Sequence, residues 1–317
     1  MTSPPNDIVE YISGCIQLAT LLEVSAYPKP GNVHRTANFD NTRYEHFLAS
    51  SIAIGSSLRN ASNRGIELSS GRIRFDEVGV GSIIRDGASS MIKWQNGGNT
   101  ILGSILLLIP MSVAGGYAWS QPSPSIESLR HVLSKVIRAT TVQDAIQVYE
   151  AIRLSRAGGL GTVEKLDVAA DTYRGEIEKA GASLSEVFRL SSGYDSIASE
   201  WANDFKITFD IGYPYFVSQL QETNDYNAAT VHTFLRILSM IPDTLISRKV
   251  GDEQAKEISG SAGEVLSLGG LATDLGRENL ALLDNKLRND GHQLNPGTTA
   301  DLTASSLALA ILDGHLP

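Results

Sequence analysis

Lys29, Asn32, His34, Arg35 and Asp40 fall within twelve positions of one another, inside the stretch Tyr27-Pro28-Lys29-Pro30-Gly31-Asn32-Val33-His34-Arg35-Thr36-Ala37-Asn38-Phe39-Asp40. Two prolines remove backbone donors and hold the residues before them in extended geometry, so the stretch reads as a stiff loop. Gly31 allows a turn or a close approach of something bound. Three potentially cationic groups in one loop, on a chain whose net charge is −9, suit a small anion, and phosphate is the commonest. A solvated loop with ordinary turn chemistry accounts for the same residues. Asp40 either complements the dipole of the helix that follows or serves as a metal ligand or base at the loop mouth.

Three further interruptions bring polar groups to helix ends. Gln95-Asn96-Gly97-Gly98-Asn99-Thr100 delivers Asn99 and Thr100 to the first turn of an apolar segment, Ile101 to Ile109. That geometry suits an anion or polar ligand, or a simple asparagine cap. It lacks the Gly-Lys-Ser/Thr ending of a P-loop. Asp243 follows Pro242 and precedes Arg248-Lys249, which reads as a functional helix break or as an exposed turn with solvated charges. Asp301 ends the run Asn295-Pro296-Gly297-Thr298-Thr299-Ala300-Asp301, where Thr298 and Asp301 fit a capping box.

The elements that must position these groups read as helices. Ile8, Tyr11, Ile12, Cys15, Ile16, Ala19 and Leu22 mark a first amphipathic helix ending near Pro28, with Cys15 a buried, inert thiol. A Thr42/Glu45 capping box opens the next helix, through Gly55. Residues 61–73 read as loop, and a helix from Asp76 to Lys93 is interrupted at Gly79 and Gly81. Further helical patterns cover 129–137, 146–152 behind a Thr141…Asp144 capping signal, 183–205, 231–241, 252–268, 274–289 and 300–311. Gly158-Gly159-Leu160-Gly161 reads as a glycine turn. Lys206 to Pro214 carries the one strand-like alternation, and one extended segment makes no sheet. The expected architecture is all-α: one domain, a multi-helix bundle with buried central helices.

Composition narrows the function. Lys plus Arg number 26 against 35 for Asp plus Glu, which argues against nucleic-acid and anionic-membrane surfaces. One cysteine forbids an intrachain disulfide and biases the chain toward a reducing compartment. Asp7 and Glu10 stand where a signal peptide needs a basic start. The longest apolar run, Ile105 to Met111, is far short of the roughly 20 residues of a membrane span. A cytoplasmic location is expected, and a homo-oligomer is compatible with the sequence.

Taken in order, Pro28-Lys29-Pro30-Gly31, Asp40, Gly98-Asn99-Thr100…Gly103, Asp243…Arg248 and Asn295-Pro296-Gly297-Thr298-Thr299-Ala300-Asp301-Leu302 resemble the triphosphoribosyl-dephospho-coenzyme A synthases. The resemblance spans Leu22 to Ala308 and is tightest at the first and last motifs. Members tied to citrate lyase and malonate decarboxylase carry His-Lys after Asn-Thr, where this chain has Ile101-Leu102. They carry Arg-Gly-Gly where this chain has Arg248-Lys249-Val250-Gly251, and Asn32-Val33-His34-Arg35 resembles homologues of unassigned role. The resemblance implies an all-helical pentosyltransferase that displaces adenine from ATP and moves the triphosphoribosyl group onto a ribose hydroxyl of 3′-dephospho-coenzyme A.

Such a displacement develops oxocarbenium character at the ribose carbon. It needs a triphosphate clamp, for which Lys29, Asn32, Arg35, Asn99, Thr100 and Arg248 are the candidates. It needs a proton for the departing base, for which His34 is the candidate beside the alternative of a structural histidine. Asp40, Asp243 and Asp301, if they converge, hold Mg²⁺, or one of them acts as general base, with Asp40 and Asp243 the catalytic candidates. Two other readings fit the same residues: a magnesium-dependent hydrolase of a nucleotide N-glycosidic bond, and a non-catalytic nucleotide- or coenzyme-binding regulator.

Overall fold

A computed structural model of the chain describes residues 7–158, 166–288 and 290–317, with the side chain of Asp290 excepted. Gly159, Leu160 and Gly161 of the expected glycine turn lie outside the described residues. The described residues form helices and connecting loops with no strand among them, so the all-α expectation holds.

Helix α1 (Ile8–Ser25) is capped by Asp7, whose carboxylate accepts from Glu10 N. Its buried face runs through Ile12, Ile16, Ala19 and Glu23 at spacings of three and four. Beyond the proline loop come α2 (Tyr44–Ala53) and α3 (Gly55–Ser69), broken at Ile54. The expected Thr42/Glu45 box does not form: the Thr42 hydroxyl donates to Gly97 O at 2.8 Å, and His46 Nδ1 accepts from Arg43 N.

Residues 61–69 are helix rather than loop. Their glycine and serine content reflects close packing of α3 on α5. A Cβ on Gly65 would stand 2.0 Å from Val113 O, and one on Gly116 would stand 2.1 Å from Ser62 O. Backbone meets backbone there, and small residues are the condition for it.

Helix α4 (Val80–Trp94) starts after Gly79, which sits at φ 71° and ends the expected longer helix. The central α5 (Leu102–Trp119) is apolar on all sides and nearly all buried. By length and composition alone α1 and α5 are each enough to cross a membrane, which the seven-residue run did not suggest. In α5, 89% of the span is buried against protein, whereas α1 is 44% buried. Pro110 lies inside α5 and leaves Leu106 O without its helical donor. The buried Trp201 indole supplies the missing bond, Nε1 donating to Leu106 O at 3.1 Å.

The chain continues through α6 (Ile126–Arg138), α7 (Val142–Ser155), α8 (Tyr173–Ala180), α9 (Leu184–Ser191) and α10 (Ser196–Ala202). Thr141 and Asp144 make the expected capping box on α7, and Asp144 also accepts from Gly81 N, tying α7 to α4. The segment expected to alternate as a strand is helical, with a π turn over Thr208–Gly212. The buried Glu200 carboxylate accepts from Ile207 N and Thr208 N at 2.7 and 2.8 Å, which holds those donors out of any sheet.

Helices α11 (Tyr213–Thr223), α12 (Tyr226–Met240), α13 (Thr244–Val250), α14 (Asp252–Ser267) and α15 (Asp274–Leu287) precede the buried α16 (Gly297–Leu312). Helix α16 packs along α1, α5 and α12. A second apolar cluster joins α12, α13, α14 and α15 to Ala26 and Leu294, which fastens the loops on both sides of the site.

Candidate active site

A cleft of about 490 Å³ opens between the end of α1, the proline loop, the first turns of α5 and α16, and α13. Its far wall is apolar, built by Ile152 of α7, Val187 and Phe188 of α9, and Ile197 of α10. Its near wall carries Glu23, Asn32, Asn99, Thr100, Arg248 and Asp301.

Asp301 comes from the second turn of α16 and reaches across to α5. It accepts from Ser104 N at 2.7 Å and from the Ser104 hydroxyl at 2.5 Å, capping a helix that lies 197 residues earlier. Gly103 makes that approach feasible, because a Cβ there would stand 2.1 Å from Asp301 Oδ2. The expected box between Thr298 and Asp301 is therefore absent, the carboxylate being spent on α5. Burial lifts the Asp301 carboxyl to about 7, against the pull of the Ser104 hydrogen bonds.

The cap of α16 is Asp243 instead. Its Oδ2 accepts from Thr299 N at 2.7 Å and Thr299 Oγ1 at 2.8 Å, while Oδ1 accepts from Leu245 N and Ile246 N at the start of α13. One carboxylate thus caps two helices, at 2% exposure. The expectation of an exposed, catalytic or metal-binding Asp243 is corrected: both oxygens are engaged, and it stands behind the cleft wall. Burial pushes its carboxyl upward, and the four hydrogen bonds oppose that.

The proline loop is folded inward. Lys29 is 1% exposed, with Nζ donating to Glu23 O at 2.9 Å and paired with the Glu23 carboxylate. It backs Glu23 rather than clamping a triphosphate, because a buried ammonium needs its counter-charge. Burial draws Lys29 down and Glu23 up, each against the partner's charge. Asn32 lines the cleft, with Nδ2 donating to Pro296 O at 3.3 Å.

His34 does not face the cleft. Its Nε2 accepts from Arg288 Nη2 at 2.9 Å, its Nδ1 sits 3.1 Å from the Thr36 hydroxyl, and its ring packs edge-on to Tyr27. Burial and the Arg288 charge push the imidazole down to about 4. The proton-donor expectation is corrected: the ring is neutral and structural. Its ¹³C and ¹H shifts should stay those of a neutral imidazole from pH 8 to pH 5, and a titration near 6.5 would refute this.

Arg35 is exposed, with its guanidinium 5.6 Å from the Tyr27 ring centre, and Asp40 is exposed as well; neither lines the cleft. Asn99 Oδ1 accepts from Leu102 N at 3.1 Å, and Thr100 Oγ1 is 2.7 Å from Ser50 Oγ; both residues line the cleft. Arg248 faces it too, with Nη1 donating to Asp195 Oδ2 at 2.6 Å.

Asp40, Asp243 and Asp301 do not form one ligand set, and no group of three metal-ligating side chains occurs among the described residues. The residue missed from sequence is Glu23, whose signal was an acid in register with the buried Ile12, Ile16 and Ala19. Ser104, Lys249, His292 and Asn295 also line the cleft; Lys249 and Asn295 stood within motifs and Ser104 and His292 beside them, without an assigned role.

Residues 9–317 match the family model described as ATP:dephospho-CoA triphosphoribosyl transferase. The chain is 27% identical over 218 residues to the 2-(5''-triphosphoribosyl)-3'-dephosphocoenzyme-A synthase of Klebsiella pneumoniae, covering 68% of this chain and 62% of that one. It is 24% identical to a Pseudomonas fluorescens protein assigned the same activity, over 98% of this chain and 94% of that one. A crystal structure from Archaeoglobus fulgidus, assigned as a triphosphoribosyl-dephospho-coA synthase, superposes with a TM-score of 0.59 at 27% identity. That match covers 82% of this chain and 98% of the other.

Proposed function

The chain belongs to the ATP:dephospho-CoA triphosphoribosyl transferase family, and we propose that its cleft carries out that transfer with the residues described above. The enzyme takes ATP and 3′-dephospho-coenzyme A, breaks the bond between ribose and adenine, and joins the ribosyl carbon to an acceptor hydroxyl. The observation that carries the site assignment is the cleft's division of labour. Carboxyl groups of Glu23 and Asp301 stand with the N-terminus of α5, and the cations of α13 line the same space.

Arg248 and Lys249, with the polar first turn at Asn99 and Thr100, suit the triphosphate. Asp301, lifted to about 7, is matched to a general base that takes the acceptor hydroxyl's proton near neutral pH. Glu23, held in place by Lys29, puts negative charge where the ribose gains positive character. The apolar wall of α7, α9 and α10 suits the pantetheine arm of the acceptor.

Magnesium belongs to the proposal through its donor chemistry. Mg²⁺ takes one or two carboxylates with phosphate oxygens and water, and the described residues hold no cluster of three ligating side chains, so the ion would arrive with ATP, held mainly by phosphate oxygens and water. Bound with the nucleotide, it would neutralise phosphate charge.

Purified protein incubated with ATP, Mg²⁺ and 3′-dephospho-coenzyme A should release free adenine and give a product heavier by one triphosphoribosyl group. Adenine release that ignores the acceptor would instead support a hydrolase. ATP binding without adenine release would support a regulator.

A further inference from the structure

Four buried side-chain polar atoms among the described residues have no hydrogen-bond partner. Two of them, Ser62 Oγ and Ser155 Oγ, lie on α3 and α7 outside the cleft. The other two, His292 Nδ1 and Asn295 Oδ1, lie three residues apart on the loop before α16, and both residues line the cleft. A buried acceptor without a donor costs free energy, and where it faces a cavity the missing donor is naturally a ligand's.

The loop is shaped to present these groups. Gly291 and His292 are both left-handed, at φ 70° and 52°, a conformation that histidine adopts only at a cost. The turn lays the His292 ring on Phe39, with centroids 3.9 Å apart and planes 22° from parallel. Phe39 lines the cleft as well, so a flat aromatic surface stands beside an amide with an unmade bond. Lys249 Nζ donates to His292 O at 3.3 Å, which joins this corner to the cationic helix α13.

A carboxamide matches one base edge in particular. Its oxygen accepts from the 6-amino group of adenine while its nitrogen donates to a neighbouring ring nitrogen. A flat ring pair offers the complementary stacking face. We propose that Phe39, His292 and Asn295 form the subsite for the adenine of ATP, with Asn295 Oδ1 accepting from the 6-amino group. This rests on the transferase reading above and adds to it the residue that selects the leaving base.

The test compares ATP with purine riboside triphosphate, which lacks the 6-amino group. Calorimetric binding and acceptor-dependent base release would be measured for wild type, Asn295→Ala and Asn295→Asp. Wild type should prefer ATP by about 10-fold, because the analogue leaves the buried oxygen unpaired. Asn295→Ala should bind both nucleotides equally to within about 2-fold, with its affinity for inorganic triphosphate unchanged. Asn295→Asp, which keeps an acceptor oxygen, should retain the preference. Unchanged discrimination in Asn295→Ala, alongside normal adenine release by wild type, overturns this subsite and leaves the transferase reading intact. A wild type that binds neither nucleotide overturns both.

Discussion

Replacing Asp301 with asparagine should lower acceptor-dependent adenine release by roughly 10²- to 10⁴-fold, the range for removal of a general base, while ATP binding stays near wild type. Asparagine preserves the shape and keeps an oxygen for the Ser104 hydrogen bonds, so the loss isolates proton transfer from helix capping. The wild-type rate should rise with pH through about 7, because the carboxyl must lose its proton to act. The variant should lack that limb. The stability effect has the opposite sign: a carboxyl raised in the folded state contributes stability at low pH that is lost as pH rises through about 7. Thermal melts should therefore favour the variant over wild type increasingly from pH 5 to pH 8. A variant with wild-type turnover would remove Asp301 from the chemistry.

Asp243→Ala is expected to cost about 3–5 kcal/mol of stability, combining about 1 kcal/mol for each lost cap with a buried donor left unpaired. The donors are Leu245 N, Ile246 N, Thr299 N and the Thr299 hydroxyl. Helices α13 and α16 start from this one carboxylate, so the loss should appear as a lowered urea midpoint with unchanged slope. Asp243→Asn should be milder, since one oxygen still accepts. An alanine variant within about 1 kcal/mol of wild type would mean that the capping is incidental.

The contrast between these two aspartates shows what was legible in the sequence. Both sit in motif positions, and residue type alone makes either a base or a ligand. Asp301 faces the cleft because Gly103 on a distant helix admits its carboxylate. Asp243 is consumed by backbone donors on both sides. Lys29 and His34 were visible as polar residues in a stiff loop, but their inward turn depends on Glu23, on Asp284, whose carboxylate accepts from Gly31 N at 2.8 Å, and on Arg288, the last two some 250 residues away. Asn32, Asn99 and Thr100 sit in turns that open onto the cleft, and Arg248 faces it from the second turn of α13.

Helices with a clear apolar stripe, such as α6 and α12, followed from periodicity. Helix α3 did not, because close backbone contact replaces its stripe with glycine and serine. The segment after Lys206 has the alternation of a strand, yet the Glu200 carboxylate takes up its backbone donors and bends it into a π turn. Local pattern was overruled there by one buried acid.

The bonds that Ser104 donates to Asp301 tie α5 to the last helix, and the bond that the Tyr11 hydroxyl donates to Leu312 O ties the first helix to the last. During translation, α1 and α5 emerge with the glycine turn and Glu23 but without the base, the second half of the double cap or the loop bearing Asn295. Closing contacts this far apart in sequence carries a loop-closure entropy that must be met before they reward the fold, so docking of α16 belongs late in folding. The α5 wall of the cleft would then exist well before the α13 cations and the Asp301 carboxylate that complete it.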